Sequence, residues 1–255
     1  MRRVFIETEN ASRSLDMCAE LESPESLIGP SLGMITGPAG RGKSEFAKHY
    51  ATNSTAIYVP PMNIRTPTML LREITFELCK IRPGRSETCL NIIGDEMAKE
   101  RRLIIIDEAD LLAKNILEML RNMNERYGCS ILLIGEDGLK SKVASRRRIS
   151  SRIRRRVEFS PVAQPDIILF FRKALGISIS PAAVRNIQNY SKGDWRPVLS
   201  VAIAVERSMK ATGILERSDQ LINGLINANS QNRHGLPYTG LDSEEETAVY
   251  ASASL

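Results

Sequence analysis

Three stretches of the chain are apolar without alternation: Leu32–Ile35, Leu103–Ile106 and Ser130–Ile134 after its opening serine. Unbroken runs of this length belong to strands covered on both faces of a parallel sheet. A fourth run, Thr55–Val59, is β-rich and closed by Pro60-Pro61, and Val157–Phe159 reads as the last strand. Between them lie segments with apolar residues at helical spacing. Thr68–Cys79 carries Leu70, Leu71, Ile74 and Leu78 on one face, and Cys89–Ala98 and Ile116–Tyr127 follow the same rule. Strands alternating with helices predict an α/β fold with a mainly parallel sheet, a three-layer domain. From Pro165 the pattern changes to helices alone: Asp166–Leu175, Pro181–Tyr190 and Pro197–Lys210, with Ile214–Asn227 as one further candidate. Asp166 and Ser180 stand where N-caps belong, and Pro181 where a first helical residue belongs.

These changes divide the chain into an N-terminal arm (1–28), a nucleotide-binding α/β domain (29–160), a small helical domain (161–227) and a polar tail (228–255). The arm opens with a strand-like VFIET and continues into a short helix, Ala11–Leu21. The tail, rich in small polar residues, is expected to order only on a partner.

The loop after the first strand carries the chemistry. Gly37-Pro38-Ala39-Gly40-Arg41-Gly42-Lys43-Ser44 fits G-x-x-x-x-G-K-[ST] at every fixed position. Glycines let successive backbone N–H groups turn inward around a phosphate, and the helix beginning near Lys43 aims its positive end at the same point. Lys43 is placed to reach the β- and γ-phosphates, and the Ser44 hydroxyl to coordinate Mg²⁺. The third strand ends in Asp107-Glu108, 63 residues beyond Ser44. One carboxylate there can hold Mg²⁺, and its neighbour can orient and deprotonate an attacking water. A solvated strand end followed by an N-cap is the plainer reading of an Asp-Glu pair, and the phosphate loop argues against it. No N-K-x-D-like guanine-reading motif is present, which favours ATP over GTP.

Charge adds a second theme. Net charge is +5, and since Asn227 onward holds four acids and one base, the rest of the chain carries +8. A basic body with an acidic tail suits a polyanionic partner. Lys140–Arg156 holds nine basic residues and no acid. It reads as a solvated face, as a nucleic-acid patch, or as the source of an arginine finger reaching a neighbouring subunit's ATP. Arg152 is the first choice for that finger and Arg154 the second. Gly193-Asp194-Trp195-Arg196 opens a helix whose arginine either reaches the nucleotide's phosphates or sits on the surface beside a buried tryptophan. Cys18, Cys79, Cys89 and Cys129 are scattered without a C-x-x-C pair, as expected of reduced thiols in a cytoplasmic protein. No apolar run approaches the roughly 18 residues needed to span a bilayer, and the start lacks the apolar segment of a secretory signal; no membrane partner is expected.

Together these residues resemble the AAA+ ATPases, a P-loop NTPase family. GPAGRGKS resembles its Walker A motif, LIIIDEAD its Walker B, GDWR its sensor-2 motif and SRIRRRVEF its finger segment, over roughly Leu27–Lys210. The resemblance implies ATP and Mg²⁺ as cofactors and a helical lid after the α/β domain. It places nucleotide on Gly37–Ser44, Mg²⁺ on Ser44 and Asp107, the base on Glu108, the trans finger on Arg152 and sensor 2 on Arg196. The segment after the fourth strand, where a neutral polar sensor 1 belongs, offers instead Glu136 and Asp137. IIIDEADLL is most similar to the transposition ATPases, the MuB-like group with its TnsC and TniB relatives. That implies an ATPase that assembles on duplex DNA as a homo-oligomeric filament or ring and presents target DNA to a transposase. In that group the segments after the second strand face DNA, here Asn63, Arg65, Thr66, Lys80, Arg82 and Arg85. Lys140 and Lys142 are added from the basic run. The group's namesake, MuB, carries an N-terminal helix-turn-helix domain, for which there is no room before the phosphate loop here, so DNA contact is expected to fall to the ATPase body. Two other functions fit the motifs, a replication initiator or helicase loader and, less well, a small-molecule kinase.

Overall fold

The computed structural model describes residues 1–60 and 63–212, together with 220, 222–224 and 226. The expected tail, and most of the candidate helix Ile214–Asn227, lie outside the described residues. Five strands form one parallel sheet: β1 (Leu32–Thr36), β2 (Ile57–Val59), β3 (Ile104–Ile106), β4 (Ile131–Ile134) and β5 (Ile153–Glu158), in the order β2-β3-β4-β1-β5. The three unbroken apolar runs became the three inner strands, β3, β4 and β1, and every residue of these is buried.

Alternation along the strands sorts the core into two layers. Leu32, Met34, Val59, Ile104, Ile106, Ile131 and Leu133 face one side. There they meet α3 (Pro67–Cys79), α4 (Ser86–Lys99), α5 (Lys114–Tyr127), α6 (Asp137–Ala144) and the single turn α7 (Arg147–Ser150). Ile35, Ile105, Leu132 and Ile134 face the other side, against α1 (Glu9–Glu22) and α2 (Lys43–Thr52). The layer on that side is thin because α1 approaches β1 closely. A Cβ on Gly33 would lie 2.7 Å from Leu21 Cδ1 and 3.2 Å from Met17 Sδ, both fully buried side chains.

A third cluster belongs to the helical domain, α8 (Gln164–Leu175), α9 (Pro181–Ser191) and α10 (Trp195–Thr212). Ser180 caps α9 by accepting from the Ala183 amide at 3.2 Å, as expected. Asp166 does not cap α8 from the N-cap position. It stands three residues inside, and its carboxylate accepts from the Ala163 amide at 3.2 Å, the returning half of a capping box.

Two further expectations are corrected. VFIET joins no sheet and ends in a tight turn, the Thr8 amide donating to the Ile6 carbonyl at 2.9 Å; its side chains alternate between cores, Phe5 against the α2 layer and Ile6 within the helical cluster. The arm therefore straddles both domains, and the Arg2 amide donates to the Ala174 carbonyl of α8 at 3.1 Å. The last strand is the other: the basic run folds as α6, α7 and β5, an edge strand that begins four residues earlier than Val157, with a register shift against β1 that sets Ile153 in the α3–α7 layer and Val157 in the α1–α2 layer.

The close approach of α1 generates a test. Gly33→Ala forces Leu21 and Met17 out of their packed positions and should cost about 1–3 kcal/mol, read as a lower urea midpoint. An unchanged midpoint would show that α1 can move away from β1 without loss.

Candidate functional site

Parallel strands deliver their C-terminal ends to one edge, and the loops leaving that edge form a crevice. Gly37, Gly40 and Gly42 all have positive φ, at 144°, 74° and 93°, so the loop between β1 and α2 needs glycine at these positions. At Gly37 a Cβ would also lie 3.0 Å from the Phe159 carbonyl. The loop wraps Lys43, which is buried and donates to the Gly37 carbonyl at 2.7 Å and the Pro38 carbonyl at 2.8 Å.

A cleft of about 640 Å³ opens over this loop. It is lined by Ala39, Gly40, Gly42, Lys43 and Ser44 on the loop side, and by Asp107, Glu108 and Asp110 opposite. Gly135 and Glu136 close one end, and Trp195, Arg196 and Leu199 of α10 close the other. The structure thus brings together residues from both domains that the sequence holds up to 160 positions apart (39 to 199). Burial lowers the Lys43 pKa, opposed by the field of Glu136, Asp107, Asp110 and Asp137. Burial, with Asp107, Asp110 and Glu136 nearby, raises that of Glu108. Glu108 also stands in the left-handed region at φ 49°, a strained backbone typical of functional sites.

Asp107 is 5% exposed and has both oxygens engaged. Oδ1 accepts from the Glu108 amide at 2.9 Å, and Oδ2 accepts from the Tyr58 hydroxyl at 2.9 Å. Asp110 Oδ1 accepts from the Glu136 amide at 3.1 Å, tying the acidic turn after β3 to the loop after β4.

The helical domain docks on the phosphate loop through its backbone. The Trp195 amide donates to the Gly40 carbonyl at 2.9 Å, and Arg41 reaches the Lys192 carbonyl at 3.0 Å. Arg41 is therefore turned away from the cradle, toward the lid. Beside the cleft, sharing Gly42, Glu45, Trp195 and Leu199 with it, lies a second cavity of about 380 Å³. Phe5, Ile6, Phe46, Phe159, Phe170 and Trp195 give it apolar and aromatic walls. Sequence reasoning missed this cavity because the arm supplies one wall from a segment with no motif.

The remaining predicted residues lie elsewhere. Arg152 precedes β5 at the N-terminal edge of the sheet, where Leu32 pairs with Ile153, whereas Thr36 pairs with Glu158 beside the phosphate loop. That separation is roughly 15 Å of strand, so Arg152 does not reach its own cleft; its Nε donates to Glu125 at 2.8 Å. Arg154 donates to the Ile28 carbonyl at 3.3 Å. Asn63, Arg65 and Thr66 lie between β2 and α3, where Thr66 caps α3 through the Met69 amide and Arg65 donates to Asn63. Lys80, Arg82 and Arg85 lie at the other end of α3. Arg82 makes a two-bond pair with Glu73 and stacks 3.5 Å over Phe76, and Lys80 pairs with Glu77. Lys140 pairs with Glu158 at 2.6 Å. Lys142 points inward, bonding the Asp110 and Leu112 carbonyls, so its charge steadies the acidic turn instead of facing solvent.

Among the described residues no helix is long and apolar enough to cross a membrane. Residues 28–143 match the family model of an AAA domain. The chain is 28% identical over 142 residues to the Mu-like prophage FluMu DNA transposition protein B of Haemophilus influenzae, covering 54% of this chain and 48% of that protein. It is 26% identical over 146 residues to the ATP-dependent target DNA activator B of Escherichia phage Mu, covering 54% and 47%. The chain thus spans about half the length of these curated relatives. Among solved structures, the Aeropyrum pernix ORC2 protein superposes with a TM-score of 0.65 at 16% identity, covering 92% of this chain and 72% of that one. The Thermotoga maritima RuvB Holliday junction branch migration motor gives 0.61 at 17% identity, covering 88% and 70%. With its parallel five-stranded sheet, phosphate loop and helical domain, the chain has the α/β fold of these P-loop ATPases, and its residues 28–143 match an AAA domain.

Proposed function

We propose that the protein is an ATP-dependent, DNA-binding ATPase that assembles on duplex DNA and delivers target DNA to a transposase. The observation that carries the catalytic half is the single cleft uniting Lys43, Ser44, Asp107, Glu108 and Arg196. The transposition half draws on the similarity to the target DNA activator B and transposition protein B relatives. A replication initiator draws only on shared fold, through the ORC-type neighbours.

The donors fit Mg²⁺. Among the described residues no three His, Cys, Asp or Glu side chains converge on one point. One carboxylate and one hydroxyl, Asp107 and Ser44, share the cleft, which suits a hard cation that takes its other ligands from phosphates and water. Asp107 and Ser44 would hold Mg²⁺ there, and bound it would supply positive charge beside the phosphates. The base sits in the aromatic cavity, and the phosphates cross Gly42 into the cleft. Lys43, now bonded to the Gly37 and Pro38 carbonyls, turns to the γ-phosphate. Glu108 accepts the proton of the attacking water, and its raised pKa brings its basicity nearer to neutral. Arg196 steadies the phosphate chain from the lid, and Glu136 fills the sensor-1 position.

Arg152 completes a neighbour's site, because it stands at the far edge of its own sheet. The assembly is therefore a homo-oligomer, a filament or ring. Duplex contact falls to exposed basic side chains, Arg65 and Arg85 with Asn63, and Lys80, Arg82 and Lys140 where their ion pairs exchange for phosphates.

Trp195 is the chain's single tryptophan and lines both cavities. Its emission should change on ATP titration, and Lys43→Ala should lose that response at the same concentrations; constant emission at saturating ATP would place the nucleotide elsewhere. Glu108→Gln should bind ATP and assemble on DNA while turnover falls by about 10²-fold or more. Turnover at the parent rate would remove Glu108 as the base. Arg152→Ala should bind ATP without hydrolysing it, and mixing it with Lys43→Ala subunits should restore part of the activity. A mixture as inactive as its components argues against a finger in trans. For the DNA step, electron microscopy should show filaments or rings on duplex DNA with ATP, and a protein that stays monomeric there would sink the assembly reading.

A further inference from the structure

We propose that Tyr58 is a positioning residue for the metal site, fixing the Asp107 carboxylate through its hydroxyl so that the carboxylate is presented to Mg²⁺ without rotating. The inference rests on the assignment of Mg²⁺ to Ser44 and Asp107 above.

The sheet register brings the pair together. Tyr58 pairs with Ile105 and Val59 with Ile106, and the Asp107 amide donates to the Val59 carbonyl at 3.2 Å. Because side chains alternate, Ile105 and Tyr58 share the face that α1 and α2 cover, and Asp107, two residues past Ile105, falls on that face too. Tyr58 is half-buried, and its hydroxyl lies 2.9 Å from Asp107 Oδ2.

The geometry is that of a support for a ligand. A carboxylate held by one donor can still swing about its Cβ–Cγ bond. Asp107 has one donor on each oxygen, the Glu108 amide on Oδ1 and Tyr58 on Oδ2, so that torsion is fixed from both sides. Each oxygen keeps a lone pair for another partner. The support is also electrically suitable. A phenol orients the carboxylate without neutralising it, whereas a lysine or arginine at the same place would compete with the metal for its charge. Loss of a partner that orients a metal's ligand in this way typically costs about 10–100-fold in metal affinity.

Tyr58→Phe removes one oxygen and keeps the ring. The full chain is titrated with ATP at a series of Mg²⁺ concentrations, reading Trp195 emission, and again in EDTA. Mn²⁺ binding to the ATP-bound protein is followed in parallel by electron paramagnetic resonance. The control is Tyr50→Phe, which removes a second half-buried phenol bonded to a carboxylate, Glu22 at 2.5 Å, on α2. Tyr58→Phe should raise the Mg²⁺ midpoint about 10-fold, weaken Mn²⁺ binding similarly and leave ATP affinity in EDTA unchanged. Tyr50→Phe should leave all three at wild-type values. An unchanged midpoint in Tyr58→Phe, an equal shift in Tyr50→Phe, or an equal loss of ATP affinity in EDTA would overturn the proposal. A wild-type protein whose ATP affinity ignores Mg²⁺ would instead remove the metal assignment, and the role of Tyr58 with it.

Discussion

The arrangement depends on how β1 is held. It lies between β4 and β5, buried on both faces, with Gly33 letting α1 press against it. That clamp fixes where Thr36 ends and where the phosphate loop begins. The loop in turn positions the N-terminus of α2 and presents the Gly40 carbonyl on which the lid rests through Trp195. A shift of β1 by one residue would exchange its two faces and move every amide of the cradle.

Charge sets the second constraint. Lys43 and Arg196 are the two cationic side chains lining the cleft, against Glu45, Asp107, Glu108, Asp110 and Glu136. A triphosphate entering such a place meets more negative than positive side chains. Attraction must come from the loop's backbone N–H groups and the positive end of α2, and from any cation that enters with the ligand. Burial, together with Asp107, Asp110 and Glu136, keeps the Glu108 pKa raised. In the proposed reaction, a cleft this acidic would stabilise poorly the charge that spreads over the γ-phosphoryl oxygens during transfer. It gains most from a guanidinium supplied from outside.

Much of this was legible in the sequence because it was written in local patterns. The unbroken runs at Leu32, Leu103 and Ile131 forecast the inner strands, and the spacing of the phosphate loop and Asp107-Glu108 forecast the cleft. What stayed hidden depended on distant partners. Tyr58 looked like one more β-forming residue, since its partner Asp107 is 49 positions away. Arg41 looked like part of the cradle until the Lys192 carbonyl drew it to the lid. β5 was shortened because arginines on an edge strand resemble a basic loop, and Lys142 looked solvent-facing because composition does not show two waiting carbonyls. The arm looked like a strand because alternating Val4, Phe5 and Ile6 serve two cores as well as they would serve a sheet.

The position of Arg152 joins these threads. Its pair with Glu125 is partly exposed, so exchanging that carboxylate for another anion costs little; such surface pairs contribute about 0–1 kcal/mol. The guanidinium is therefore held in place at the sheet's far edge without being locked there. In the proposed assembly, a neighbour's γ-phosphate in a cleft short of cations would compete with Glu125 for that guanidinium. The acidic cleft on one edge and the loosely held arginine on the other are complementary, and they cannot meet within one chain because β1 and β5 keep them a strand's length apart. In the assembly proposed above, a second copy would satisfy both, with nucleotide at the junction.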